Sequence, residues 1–176
     1  MFGGEWQLGE RPLTLGAMTT HQATIRWIGP GENFVRGVYS RAHTWEFDGG
    51  ATLKASSSPS VVRLPYSDPE GVDPEEAFVA SLSSCHMLTF LYEAARAGFE
   101  VLAYEDEAHG ELTKNERGVP WVSRVRLRPK IEFASAHQPS PEELHRLHEK
   151  AHEGCFIANS VKTEVIVESP EREAFS

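Results

Sequence analysis

The sequence predicts an α+β domain built on antiparallel strands, and three observations carry that prediction. Strand-like segments come first, a long apolar helix follows, and a hairpin, a second helix and a closing strand complete the order. Helices do not alternate regularly with strands, which argues against a doubly wound parallel sheet. The 176 residues are 40% hydrophobic and 24% charged, the composition of one globular domain able to bury its own core.

Residues 1–20 read as an N-terminal extension, Gly-rich and without a clear period, with a second methionine at Met18. A single domain is expected over 21–168 and a polar tail over 169–176. Ala23, Ile25 and Trp27 alternate with Thr24 and Arg26, the period of a half-buried strand. Gly29-Pro30-Gly31 signals a turn. Residues 34–39 and 43–47 read as further strands, and Asp48-Gly49-Gly50 as the hairpin turn before a strand at 51–55. Residues 56–72 hold three consecutive serines and read as a long loop, a length more often functional than incidental.

Asp73-Pro74-Glu75-Glu76 combines an N-cap, a proline at the first helical position and a glutamate at the third. The helix it starts should run to about Ala97, where Gly98 supplies a left-handed cap. Phe78, Ser81, Cys85, Leu88 and Tyr92 share one face, while Val79, Leu82 and Phe90 fall on others. A helix apolar nearly all round is expected to be buried, and the small Ala77, Ala80, Ser81 and Ser84 admit a close neighbour. One small domain covers such a helix poorly, so a partner subunit is inferred.

Two long strands are expected over 101–112 and 122–133, around the turn Asn115-Glu116-Arg117-Gly118. Arg124, Arg126 and Arg128 alternate with Val125 and Leu127 and read as a solvated face. Ser140-Pro141-Glu142-Glu143 repeats the capping logic and starts a second helix ending near Gly154, with Leu144, Leu147 and Ala151 as its buried stripe and Cys155 at its edge. Residues 161–167 alternate as a closing strand.

Acidic residues outnumber basic ones 26 to 17, a net charge of -9 that speaks against nucleic acid and anionic membrane as partners. The most apolar run, 77–92, is interrupted by Ser81, Ser83, Ser84 and His86 and reads as a buried helix rather than a membrane span. The start has neither a basic region nor an apolar one, so the expected compartment is the cytoplasm. Two cysteines are too few for a secreted disulfide scaffold. The pair either packs as two small hydrophobes, the commonest fate of free cysteine, or it does redox chemistry or binds metal.

A resemblance separates these readings. Asp73-Pro74-Glu75-Glu76 followed by Ala80-Ser81-Leu82-Ser83-Ser84-Cys85 resembles the helix start N-P-E-E/Q-L-x-x-A-x-x-A-C of the OsmC/Ohr family, the osmotically inducible and organic hydroperoxide resistance proteins. His152-Glu153-Gly154-Cys155-Phe156-Ile157-Ala158-Asn159-Ser160 resembles the family's second motif, A-x-x-x-C-P-x-S, with Phe156 in place of proline. The likeness runs over roughly 21–168, including the order of elements. It implies antiparallel sheets wrapped around a central cysteine-bearing helix in an intertwined homodimer. It also implies a thiol peroxidase in which Cys85 attacks an organic hydroperoxide, becomes a sulfenic acid, and is resolved by Cys155 to a disulfide that an external dithiol reduces. No metal or organic cofactor is implied.

A cysteine with an ordinary pKa of about 8.5 is mostly protonated at neutral pH. Mid-helix, Cys85 gains little from the helix dipole and needs a cation. In the family an arginine serves, held by the glutamate that Glu75 matches. Glu75 is equally an ordinary helix-start carboxylate. Arg41 and Arg36 are the candidate arginines, with Arg41 placed first and Arg63 third.

Three other readings compete. His145, His148, His152 and Cys155 recur at spacings of three, four and three, with His86 beside Cys85, and such a set can bind zinc or another transition metal. A solvated histidine face among Glu142, Glu149 and Glu153 is the simpler account. The chain can also be a non-catalytic ligand-binding module on the same fold. An acyl-transfer role for Cys85 lacks a base, because His86 points about 100° away on the helix.

Overall fold

The structure, a computed structural model, describes residues 19–29, 33–134 and 136–168. The extension before residue 19, most of the first turn and the tail from 169 therefore lie outside the described residues.

Strands β1 (Ala23–Arg26), β2 (His43–Phe47) and β3 (Thr52–Ala55) form an antiparallel meander. Ile25, Trp45 and Leu53 stand opposite one another across it, an apolar row of the kind that stabilises sheets. The turn at Asp48–Gly50 closes as expected, with Gly50 at φ 86, a conformation that favours glycine. Residues 34–39 are not a strand. Phe34–Arg36 is one 3₁₀ turn between left-handed residues, Asn33 at φ 63 and Gly37 at φ 73. The chain folds back there, and Phe34 meets Tyr39 at 4.7 Å and Trp27 at 5.6 Å between ring centres. These rings offset the lost pairing.

Helix α1 (Pro74–Arg96) begins as its sequence predicts. The Asp73 carboxylate accepts from the Glu76 amide at 2.7 Å, and the Glu76 carboxylate accepts from the Asp73 amide at 3.0 Å. Such a cap contributes about 1 kcal/mol. The helix stops before Gly98, which is left-handed at φ 84.

The two long strands expected next are four. Strands β4 (Val101–Asp106) and β7 (Pro129–Phe133) form one antiparallel ladder, and β5 (His109–Lys114) and β6 (Pro120–Leu127) another. The hairpin kinks between them, where Asp106 Oδ1 accepts the Arg128 amide at 2.6 Å. At its tip Asn115 Oδ1 accepts from the amides of Arg117 and Val119, which builds the expected turn. Arg124, Arg126 and Arg128 do not simply face solvent. They thread through Glu111, Glu164 and Glu168 in a ladder of ion pairs 2.6–3.4 Å long.

Helix α2 (Pro141–Gly154) opens on a second capping box at Ser140 and Glu143. Strand β8 (Glu164–Val167) then joins β6 in parallel, the one exception to the expected antiparallel pairing among the described strands. The core has two parts. Phe90, Ala94, Phe99, Leu147 and Ala151 fill the space between the helices and the β4–β7 ladder. Leu82, Val125 and Leu127 fill the other side, against β6 and β8.

Helix α1 thus buries a single row, Leu82, His86, Phe90 and Ala94, at spacings of four. All-round burial does not hold for the chain by itself, since Leu88 and Tyr92 are 61% and 51% exposed. No helix among the described residues is long and apolar enough to cross a membrane.

Candidate functional site: two facing thiols between the helices

Cys85 lies about three turns into α1, and Cys155 is the residue that ends α2. Both are free thiols. Cys85 is half-buried and Cys155 only 1% exposed. Packing of α2 on α1 makes the two thiols neighbours. Burial first, and the neighbouring Cys85 thiol second, push the Cys155 thiol up to about 11. Cys155 therefore stays protonated at neutral pH.

Two local features permit the approach. A Cβ on Gly154 would lie 2.9 Å from Thr89 Cγ2, so glycine lets the end of α2 close onto α1. Thr89, one turn beyond Cys85, donates to the Cys85 carbonyl at 2.9 Å. After Cys155 the chain makes a 3₁₀ turn (Ala158–Ser160) that folds back on the sulfur. The Ala158 amide donates to Cys155 Sγ at 3.4 Å. Asn159 clasps this turn: its side-chain amide donates to the carbonyls of Glu153 and Cys155, both at 2.9 Å. Phe156, where the resemblance calls for proline, is 61% exposed beside them.

Next to the sulfurs lies a feature that the sequence reading missed. His86 and His148 are 1% and 5% exposed, stacked at 8° between planes, with His86 Nε2 and His148 Nδ1 at 3.1 Å. His86 Nδ1 is buried without a partner. A bare lone pair costs less there than a stranded N–H, so the proton of His86 sits on Nε2 and donates to His148. Burial holds both rings neutral, down to about 4 each. The expected solvated histidine face is thus corrected at His148, which α2 turns inward against Phe90. A signal was available: His86 falls in the same spacing-of-four row as Leu82, Phe90 and Ala94.

His145 instead pairs with Glu149 on the surface. The histidine stripe does not converge, and among the described residues no group of three or more His, Cys, Asp or Glu side chains is placed to hold a metal ion.

The contacts of the other expected site residues are with groups other than the two thiols. Glu75 is half-buried and lines a cleft of about 680 Å³ between the first half of α1 and the hairpin, together with Val79, Ser83, Met87, Tyr104 and Leu112. Ser83 and Cys85 are about 160° apart around the helix, so the cleft opens on the side away from the thiol. Arg41 donates to the carbonyls of Gly37 and Tyr39 and lies 3.8 Å over the Tyr39 ring. Arg36 bonds Asn33, and Arg63 lies near Tyr66. Among the described residues no arginine of the chain pairs with Glu75.

A strand-wrapped, helix-centred α+β protein with paired reduced cysteines between its two helices is the class that fold and site define. Within that class, residues 67–169 match the family model described as OsmC-like protein, and the chain belongs to the OsmC/Ohr family. An OsmC-like protein of unknown function from Vibrio cholerae is 51% identical, over 86% of this chain and 99% of that one, with a TM-score of 0.83. An organic hydroperoxide resistance protein from Elizabethkingia anophelis is 19% identical, over 88% and 96%, with a TM-score of 0.64. The organic hydroperoxide resistance protein OhrB of Bacillus subtilis is also 19% identical, over 87% and 99%, at 0.59. At these lower identities the likeness is one of fold. No curated protein sequence matches the chain.

Proposed function

We propose that the protein is a thiol peroxidase that reduces organic hydroperoxides. The observation that carries the reading is the meeting of the Cys85 and Cys155 thiols across the α1–α2 interface. The Cys85 thiolate attacks the distal peroxide oxygen, the O–O bond breaks, and the alcohol leaves with a proton. Cys85 is then a sulfenic acid. The Cys155 sulfur attacks it, water departs, and a Cys85–Cys155 disulfide remains. A dithiol returns the pair to thiols. Leu88, Tyr92 and Phe156, apolar and exposed, favour an organic peroxide over hydrogen peroxide. The hydroperoxide resistance proteins that share the fold support the same direction.

The protein acts as a homodimer in this reading. The β1–β3 sheet packs chiefly on itself and leaves Ile25, Trp27 and Leu53 exposed, as α1 leaves Leu88 and Tyr92. Exposed apolar surface on that scale marks an interface. Arg41, or Arg36, would reach Cys85 and Glu75 once that sheet is seated against a helix in the dimer. The cytoplasm is the proposed compartment.

The test is consumption of tert-butyl hydroperoxide with excess dithiothreitol by wild type, Cys85→Ser and Cys155→Ser. Wild type should turn over, Cys85→Ser should lose turnover, and Cys155→Ser should be oxidised without forming an intramolecular disulfide. Equal rates in all three would sink the proposal. Arg41→Ala and Glu75→Gln should each slow the first step if they form the activating pair.

A further inference from the structure

We infer that the buried His86–His148 pair is a register pin between α1 and α2, the positioning device that keeps Cys155 facing Cys85 for closure of the disulfide. The inference rests on the peroxidase reading and adds which residues govern its second step.

The pair sits where it can have this effect. His86 follows Cys85 on α1. On α2, His148 and Cys155 are seven residues apart, which puts them about 20° apart around the helix and about 10 Å apart along it. A rotation of α2 that breaks the histidine contact therefore swings Cys155 off α1 in the same sense. Near that end the helices touch closely at Gly154, where a Cβ would lie 2.9 Å from Thr89 Cγ2. Helix α2 is thus held at its middle by the histidines and at its end by that contact. His86 lies about 160° around α1 from Leu88. With the rings 1% and 5% exposed, the contact is complete within one chain, whatever covers Leu88 and Tyr92.

What the pair adds to packing is direction. Phe90, Ala94, Leu147 and Ala151 supply the apolar contact beside it. Apolar contacts of the right volume secure stability before they secure a unique arrangement. A hydrogen bond is stricter. The 3.1 Å bond from His86 Nε2 to His148 Nδ1 weakens steeply as its angle bends. The two rings stack at 8° between planes, and Phe90 packs on His148 at 4.6 Å, so tilt is limited as well. Stability does not call for two histidines here. His86 Nδ1 is buried without a partner, and two apolar rings would fill the same space without that cost.

Closure is the step that depends on this. The Cys155 sulfur attacks the Cys85 sulfenic acid, an S–S bond forms, and hydroxide leaves and takes the Cys155 proton as water. A reduced chain already held with its sulfurs face to face loses less freedom on closing. Without the pin, the effective concentration of one sulfur at the other falls. Attack on the peroxide involves Cys85 alone and keeps its rate.

The experiment equilibrates the full chain with mixtures of reduced and oxidised dithiothreitol, quenches in acid, labels free thiols with N-ethylmaleimide and quantifies the Cys85–Cys155 disulfide. At equilibrium the two thiols give two electrons and two protons to the cyclic disulfide, which opens to the dithiol. His86→Phe with His148→Phe keeps both rings and removes the bond. Its disulfide should be about tenfold less favoured than that of wild type, the effect of one hydrogen bond, or about 30 mV for two electrons. Its urea midpoint, measured on the reduced chain, should not fall below wild type. His148→Asn and His148→Leu have nearly the same shape, and only the first offers an acceptor where His148 Nδ1 stands. The Asn variant should keep the wild-type equilibrium and the Leu variant should lose it about tenfold, a comparison that holds even where the double variant fails to fold. Equal equilibria in these two, or equilibria that simply follow the urea midpoints, overturn the inference. With tert-butyl hydroperoxide and dimedone, the His148→Leu variant should consume peroxide at the wild-type rate but trap more Cys85 as the dimedone adduct. If peroxide leaves even wild type unoxidised, the peroxidase reading has failed, while the dithiothreitol equilibrium still decides the pin.

Discussion

The interface between α1 and α2 and the sheet of β1–β3 are opposites in how far one chain completes them. At the interface Phe90, Ala94, Leu147 and Ala151 are buried, two histidines share one hydrogen bond and two thiols meet. In the sheet Ile25 is 57% exposed, although it heads an apolar cross-strand row. Hydrophobic residues in strand register but facing water are a surface made for something else. The difference teaches that folding of one chain suffices to bring the two thiols together, whereas the sheet keeps an apolar row that the proposed dimer would cover.

The largest expected effect would break the complete side. Phe90→Ala removes a wholly buried ring that touches Tyr104 and His148, and should cost about 3–5 kcal/mol in urea unfolding. A cost below about 1 kcal/mol would show that this interface is not the folding core.

Acid should come next. His86 and His148 bind protons near 6.5 when unfolded and near 4 when folded. The unfolded chain therefore holds more protons between those values, and stability falls as pH drops from about 6.5 toward 4. The loss should be on the order of 3 kcal/mol for one ring. Above 6.5 this contribution is fully present. Urea midpoints measured from pH 7.5 to 4.5 should show the slope, and His148→Gln should flatten it. An unchanged slope in that variant would place the acid sensitivity elsewhere.

Asp73→Ala should cost about 1 kcal/mol by loss of the cap, read in the same unfolding assay. The smallest effect sharpens the incomplete side. Leu53→Ser, at a 39% exposed position, should change the stability of one folded chain by no more than about 0.5 kcal/mol. It should nevertheless shift the mass measured by light scattering from twice that of the chain toward one. A wild type that already scatters as a single chain would end the dimer proposal.

Much of the fold was legible because local rules and tertiary packing agreed. Both capping boxes, Gly98 after α1, the Asn115–Gly118 turn and the long loop at 56–72 stand where residue chemistry puts them. Residues 34–39 misled because Val35 and Val38 suggest a strand, while Asn33 and Gly37 impose left-handed backbone that no ladder tolerates. The kink that splits the hairpin is set by Asp106, a contact across the ladder that a linear pattern does not display. At the site, the cysteine pair is singled out by the resemblance of its two motifs to the family's. The histidine pair was not, because periodicity along α2 puts His148 beside charged residues and only α1 supplies the partner that draws it inward. Arg41 was chosen by proximity in sequence to a strand start, but its guanidinium satisfies itself on carbonyls two and four residues away.

The unequal shelter of the two sulfurs has a practical side. A chain with one half-exposed and one sealed cysteine carries a built-in attachment point at mid-helix. A spin label or fluorophore delivered under mild conditions will settle on α1 alone, with no residue replaced. Distances between two such probes would then report how far apart the central helices of neighbouring molecules sit, a ruler supplied by the native protein.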